Sequence, residues 1–281
     1  MTELRDLLST GLIRAPLEIK PLSNAFLINS NVTSDGRIKV EGRDYDNLQS
    51  AMTAALQHYP NQTLVPLFNS TAWQFWAWFN PNRDAWTPLE HLRGEYESRA
   101  LRNSVRTSTS DPLQFDEINI GKGVLGLTFC PGKVTQGIYG GYWRRDLPLD
   151  CQRIHQWHAS HIITLIEEGE FSELGVPDLA EALNSLEAQW IHLPIRDMDI
   201  PNSQFEARWR QLSPAIHSSL KAGARIVIHC RGGLGRTGLM AALILIESGM
   251  PAVKAIRTVR KVRQRTIETF AQEEYLLHQS Y

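Results

Sequence analysis

The chain has 281 residues, room for one large domain or two modest ones, and its 29 Lys plus Arg against 30 Asp plus Glu leave a formal net charge of −1. That balance supplies no global field toward nucleic acid or anionic lipid, and 42% hydrophobic with 21% charged residues exclude wholesale disorder. The apolar run Leu239–Ile246 is far short of the ~20 residues of a membrane span, Met1–Asp6 is too polar for a secretory signal, and three cysteines make a poor disulfide framework, so a cytoplasmic chain is expected.

In chain order, Arg37–Glu41 alternates and predicts a strand, and Tyr45–Tyr59 has helical spacing, with Leu48, Met52, Ala55 and Leu56 on one face. Thr63–Phe68 reads as a strand near an edge because of Pro66. Trp73, Phe75, Trp76, Trp78, Phe79 and Trp86 follow within a short span. Such rings build either the core of a small domain or a surface for a protein partner, with the core preferred. Residues 103–118 are rich in Ser and Thr, carry Asp111-Pro112 and lack either hydrophobic period, which predicts a linker or long loop. The expected division is therefore 1–115, a small α+β region of unassigned role, and 116–281.

Beyond the linker, strands and helices alternate. Strands are expected at 124–129, 162–166, 190–195 and 224–230, and helices at 150–158, 176–189, 203–220 and 235–247, with two more starting near Pro251 and Glu268. This order predicts an α/β fold with a mostly parallel central sheet flanked by helices. Ligands in such sheets sit beyond the carboxyl ends of the strands.

One such end carries His229-Cys230-Arg231-Gly232-Gly233-Leu234-Gly235-Arg236-Thr237-Gly238, running from a β-rich strand into an apolar helix. Three glycines among four residues let backbone N–H groups turn toward one point, where the helix N-terminus also aims, a cradle for a tetrahedral oxyanion such as phosphate. Arg231, Gly232, Gly233, Leu234 and Gly235 form its wall, and Arg236 brings a planar fork suited to two phosphoryl oxygens. Cys230 at its base is placed where backbone dipoles favour the thiolate, a nucleophile toward phosphorus that would pass through a phosphocysteine intermediate. A buried cysteine beside a Gly-rich turn is the bland alternative.

The motif His229-Cys230-(five residues)-Arg236-Thr237 resembles the signature of the cysteine-dependent protein tyrosine and dual-specificity phosphatases. Cys130-Pro-Gly-Lys133, Pro194-Ile-Arg-Asp197 with Pro201 beyond it, and Ile267–Tyr275 are similar to the kinase-associated phosphatase branch, so the resemblance covers about residues 120–281. It implies hydrolysis of phosphate monoesters on proteins without a cofactor or metal, on phosphotyrosine with phosphoserine and phosphothreonine as further candidates. It also implies Asp197 as acid then base, with Asp199 as competitor, Thr237 as a donor to the departing thiolate, and His229 as an orienting residue. The tyrosine-specific branch carries Gln where this chain has Glu268, leaving Gln272 or Asp197 to handle water. A tyrosine-stacking loop has no clear counterpart.

Other signals weigh less. His155, His158 and His161 lack a companion Cys, Asp or Glu for a tidy metal site. Lys254, Arg257, Arg260, Lys261, Arg263 and Arg265 read as the solvated face of an amphipathic helix rather than a site for RNA. Cys130 or Cys151 is a candidate disulfide partner for an oxidised Cys230. Arg231 either reaches a second anionic group on the substrate or is solvated. The rival functions are a phosphatase for phosphoinositide or RNA 5′ phosphate and a phosphate-binding adaptor; a single cation inside the loop disfavours the first and the intact Cys230, Arg236 and Asp197 the second.

Overall fold

The computed structural model describes residues 3–22, 28–57, 71–82, 84–97, 105–137 and 141–279. The chain divides into two compact units, Met1–Arg102 and Asn103–Tyr281. The division lies upstream of the 115/116 split read from the sequence.

Unit one contains α1 (Leu4–Ser9), β1 (Leu17–Pro21), β2 (Ser30–Val32), β3 (Ile38–Val40), β4 (Arg43–Tyr45), α2 (Leu48–Gln57), α3 (Ala72–Phe75), β5 (Trp76–Asn80), β6 (Ala85–Pro88) and α4 (Leu89–Glu97). Its strands form an antiparallel sheet in the order β4-β3-β2-β1-β5-β6. Alternation explains β3, where Ile38 and Val40 are buried around an exposed Lys39. The aromatic cluster is divided between core and surface: Phe75 and Trp76 are buried, the Trp76 indole donating to the Leu48 carbonyl at 3.2 Å, whereas Phe79 is exposed. The strand expected at Thr63–Phe68 lies outside the described residues.

Unit two continues with β7 (Val105–Arg106), β8 (Asp116–Ile120), β9 (Gly123–Phe129), β10 (Val134–Gln136), β11 (Tyr142–Arg144), α5 (Leu147–Gln156), β12 (His161–Thr164), α6 (Glu168–Glu173), α7 (Leu179–Asn184), β13 (Gln189–His192), α8 (Ser203–Ala222), β14 (Arg225–Cys230), α9 (Gly235–Glu247), α10 (Ala252–Val262) and α11 (Phe270–Leu277). The main sheet runs β13-β12-β14-β9-β8 and is mixed, with parallel pairing from β13 through β9 and an antiparallel edge at β8. The sheet expected to be mostly parallel is thus a mixed one, because the short Ile120–Gly123 connection makes β8 and β9 an antiparallel hairpin. A second small sheet, β10-β11-β7, pairs Val105–Arg106 with Tyr142–Trp143.

Of the segment read as a linker or long loop, residues 105–118 are tied into unit two. Buried Arg145 donates to the Asp111 carbonyl at 2.7 Å and pairs with Asp150 at 2.7 Å, while the Asp150 carboxylate also accepts the Gly132 N–H at 2.8 Å. In the central strand β14, Ile226, Val227 and Ile228 are all fully buried, so both faces of the sheet are covered. Among the described residues no helix is long and apolar enough to cross a membrane.

Candidate active site

β14 ends at Cys230 between β12 and β9, in the middle of the sheet. Residues 231–234 make a tight loop, and α9 begins at Gly235, with Gly235–Ile246 buried. Gly233 takes the left-handed φ of +72°, and a side chain there would press into the Thr128 carbonyl, so glycine is required twice over. Its N–H turns inward and donates to Cys230 Sγ at 3.2 Å. The Gly-rich segment thus curls over the sulfur of a buried cysteine, with the amino end of a helix following directly.

Arg236, in the first turn of α9, is 1% exposed and held as a fork. Nη1 and Nη2 donate to the two oxygens of Glu170 at 2.5 and 2.9 Å, and Nη1 also meets the Ile195 carbonyl at 3.0 Å. Burial alone would lower its pKa, but the Glu170 bonds and the neighbouring Cys230 and Asp197 raise it overall, so the charge is permanent. Burial pushes Glu170 the other way, and Arg236 wins, leaving the carboxyl below its ordinary value. Nε of Arg236 is buried with no hydrogen-bond partner among the described residues.

The expected acid also reaches this arginine. Asp197, in the turn after β13, places Oδ1 3.0 Å from Arg236 Nη2 while its side chain remains 54% exposed. Asp199 turns elsewhere, capping Ile200 N–H with Oδ1 at 2.8 Å. Met198 between them has a φ of +63°, and this left-handed step separates the two carboxylates. Gln272, fully buried on α11, braces the same turn: Nε2 donates to the Asp199 carbonyl at 3.0 Å and Oε1 accepts the Glu268 N–H at 3.0 Å. These bonds tie one N–H and one acceptor site of the amide to backbone groups of the acid turn and of α11's approach, and leave its second N–H for the water that the sequence assigned to Gln272 or to Asp197.

The remaining residues support the loop. His229 is fully buried and its pKa falls to about 3 through burial, so the ring is neutral; Nε2 sits 2.7 Å from Thr164 Oγ1, which also accepts the Trp190 indole N–H at 2.9 Å. The Thr237 hydroxyl is buried without a hydrogen-bond partner among the described residues. Arg231 turns to Glu173, Nη1 to Oε2 at 3.1 Å, rather than standing free for a second anionic group. Glu268 accepts the Gly235 N–H at 2.8 Å. Arg263 corrects the reading of its cation series as a solvated face: Nε donates to the Gly233 carbonyl at 2.5 Å, Nη2 to the Gly232 carbonyl at 3.3 Å, and Nη1 pairs with Asp116 at 2.5 Å. With both carbonyls drawn backward, the opposite edges of those peptides, their N–H groups, are turned into the loop.

Cys230, Arg236 and Asp197 are thus brought together, with His229, Thr237 and Gln272 behind them. Glu170 and Arg263 were missed in the sequence; a Glu in a short acidic helix and an Arg among five other cations carry no local signal.

Residues 144–276 match the family model described as PTP-SAK, Swiss Army Knife protein, DSP-PTPase phosphatase domain. Over 154 residues, 54% of this chain and 69% of the relative, the chain is 29% identical to cyclin-dependent kinase inhibitor 3 of Mus musculus. Over 78 residues, 27% of this chain and 48% of the relative, it is 35% identical to the probable protein tyrosine phosphatase type IVA B of Dictyostelium discoideum. Among solved structures, a kinase associated phosphatase with its catalytic site cysteine substituted by serine aligns at 28% identity and a TM-score of 0.48, covering 54% of this chain and 83% of that one. Residues 144–276 therefore carry a domain of the protein tyrosine and dual-specificity phosphatase family.

Proposed function

We propose that the chain hydrolyses phosphate monoesters on proteins through a phosphocysteine intermediate, with Cys230 as nucleophile, Arg236 as phosphoryl clamp and Asp197 as acid then base. The observation that carries this reading is the meeting of Gly233 N–H on Cys230 Sγ (3.2 Å) with Asp197 on the Glu170-held fork of Arg236 (3.0 Å). Nucleophile, clamp and proton donor lie around one loop.

A phosphoryl group seated in the loop takes hydrogen bonds from its N–H groups and from Nε and Nη2 of Arg236, displacing Asp197 toward the leaving oxygen. The thiolate of Cys230 attacks phosphorus, the P–O bond to the substrate breaks, and protonated Asp197 gives its proton to the departing oxygen. In the second step Asp197, now a carboxylate, takes a proton from water as the water oxygen attacks phosphorus. The S–P bond breaks and its electron pair returns to Cys230, with Thr237 Oγ1 as the donor to the restored thiolate. This sequence draws on side chains and the N–H groups of the loop, with no step assigned to a metal or cofactor.

Protein substrates, phosphotyrosine first and phosphoserine or phosphothreonine after it, are favoured by the names of the relatives and by the loop. Arg231, its one cation among the five variable residues, is engaged by Glu173, which leaves little to hold the extra charges of a phosphoinositide headgroup. The Trp-rich unit one is the candidate docking element for a protein partner, and a cytoplasmic location follows from the same reading. The test is phosphate release without added metal from phosphotyrosine and phosphothreonine peptides, a phosphoinositide and 5′-phosphorylated RNA, beside Cys230→Ser. Peptide turnover that Cys230→Ser abolishes, with retained peptide binding, is expected. An active Cys230→Ser protein would refute the covalent mechanism.

A further inference from the structure

Lys133 follows the Pro131-Gly132 turn at the end of β9 and is 5% exposed. Its Nζ donates to the Arg231 carbonyl at 3.3 Å, the first peptide of the catalytic loop. The ammonium also lies 4.4 Å from the ring centre of Phe129 and 4.5 Å from that of Trp143, in the notch between two rings 4.9 Å apart and tilted by 44°. Trp143 carries a second cation, Arg106, at 3.9 Å. The ionisable groups that act most strongly on Lys133 are Cys130 in the same turn, Cys230 at the end of β14, Arg145 after β11 and Arg106 on β7. Among the described residues Lys133 makes no ion pair with a carboxylate; the nearby Asp150 is taken up by Arg145 and the Gly132 N–H. Burial, with the two guanidiniums adding to it, brings its pKa down to about 7.

A buried ammonium with no carboxylate paired to it among the described residues is costly to keep, and a Met side chain would fill much the same volume at no such cost. The π faces and one carbonyl recover part of that cost. What stands to gain from the charge is the anion formed beside it, the thiolate of Cys230, together with the phosphoryl group that the thiolate attacks. We propose that Lys133 is a positioning residue of the phosphatase reaction: it fixes the first peptide of the catalytic loop from behind and sets a buried positive charge against the Cys230 thiolate. This rests on the phosphatase reading above and adds a residue to it. Lys133 acts through Cys230 and the loop, not on the substrate. It also ties the small β10-β11-β7 sheet, with its Arg106–Trp143 stack, to the chemistry.

The experiment compares Lys133→Met and Lys133→Leu in the full chain with the wild type by three readouts: thermal melting, turnover of p-nitrophenyl phosphate, and inactivation by iodoacetate as a function of pH. Cys130 and Cys151 are buried thiols pushed by burial to about 12 and about 11, so alkylation between pH 5 and 8 reports Cys230, with Cys230→Ser as the blank. Expected are melting temperatures equal to or above wild type, kcat/KM lower by about tenfold or more, and alkylation at pH 6 slowed by about tenfold, the deficit shrinking as pH rises past about 7, where Lys133 of the wild type gives up its charge. A purely structural lysine would give the reverse, a fall in melting temperature with alkylation unchanged. That result, unfolding of both variants, or unaltered turnover and alkylation in folded variants would each overturn the proposal. A wild-type protein with no turnover, or turnover surviving in Cys230→Ser, would instead remove the phosphatase reading, while the alkylation comparison still decides whether Lys133 favours the thiolate.

Discussion

Glu170→Gln probes how the clamp is built. Glu170 is 6% exposed, and its carboxylate holds both terminal nitrogens of a guanidinium that is 1% exposed. Removing one partner of a buried pair costs about 3–5 kcal/mol, because the other charge is left in low dielectric. The low end applies here, about 3 kcal/mol, since Arg236 keeps the Ile195 and Leu165 carbonyls and Asp197. In a unit of this size that corresponds to a fall in melting temperature of roughly 6–12 °C at pH 7. The pH dependence has a definite sign. Burial raises the Glu170 pKa and the Arg236 bonds and charge lower it by more, so the folded value lies below the ordinary 4.5. A depressed carboxyl contributes its stability above the unfolded pKa and loses it as pH falls through the folded value. The gap between wild type and Glu170→Gln is therefore constant from pH 7 to about 5.5 and narrows below pH 4.5. Melting curves for the second unit across that range, with the first unit's transition followed separately, make the check. A gap under about 2 °C at pH 7, or one that persists undiminished at pH 3.5, would refute the account of a buried clamp held by charge.

Asp197→Ala should slow turnover by about a hundredfold for alkyl phosphates and far less for p-nitrophenyl phosphate, whose leaving group needs no proton; if Asp199→Ala does this instead, the acid assignment is wrong. Arg263→Met releases the Gly232 and Gly233 carbonyls, and kcat/KM should fall about tenfold with weakened vanadate inhibition, while stability drops by only about 1–2 kcal/mol. Arg263→Lys should recover little, since an ammonium cannot reproduce the fork to both carbonyls and Asp116.

Local sequence carried the loop and the elements on either side of it. The run Ala224–Cys230 followed by glycines and Leu239–Ile246 is contiguous, so composition and periodicity point to strand, turn and buried helix; β14 and α9 occur at Arg225–Cys230 and Gly235–Glu247. The reading failed where structure depends on a distant partner. Asp116–Ile120 buries only Ile118 well and exists as a strand because β9 pairs with it, so its Ser/Thr-rich approach looked like linker. The helix expected over 176–189 shrinks to α7, Leu179–Asn184, because Gln189 is claimed by pairing with His161 in β12. Glu170 and Arg263 meet the loop only after the chain has folded back, one from beside β12 and the other from the end of α10.

Gln272 shows how such long-range placement changes a functional argument. If this amide positioned the attacking water, Gln272→Ala would slow the second step, and a phosphocysteine species would accumulate as a burst. One of its N–H donors and one acceptor site hold the Asp199 carbonyl and the Glu268 N–H, at 3.0 Å each, which gives it a second role as a brace of the acid turn. Removing it leaves two backbone groups unsatisfied at about 1–3 kcal/mol each and frees the turn that carries Asp197. The expected result is a slower first step for poor leaving groups, little change for p-nitrophenyl phosphate and no burst, a partial copy of Asp197→Ala. Rapid-quench kinetics on the two ester classes separates the cases. A burst in Gln272→Ala with both esters would return the water to Gln272 and leave the brace of the acid turn to Met198 and its neighbours alone.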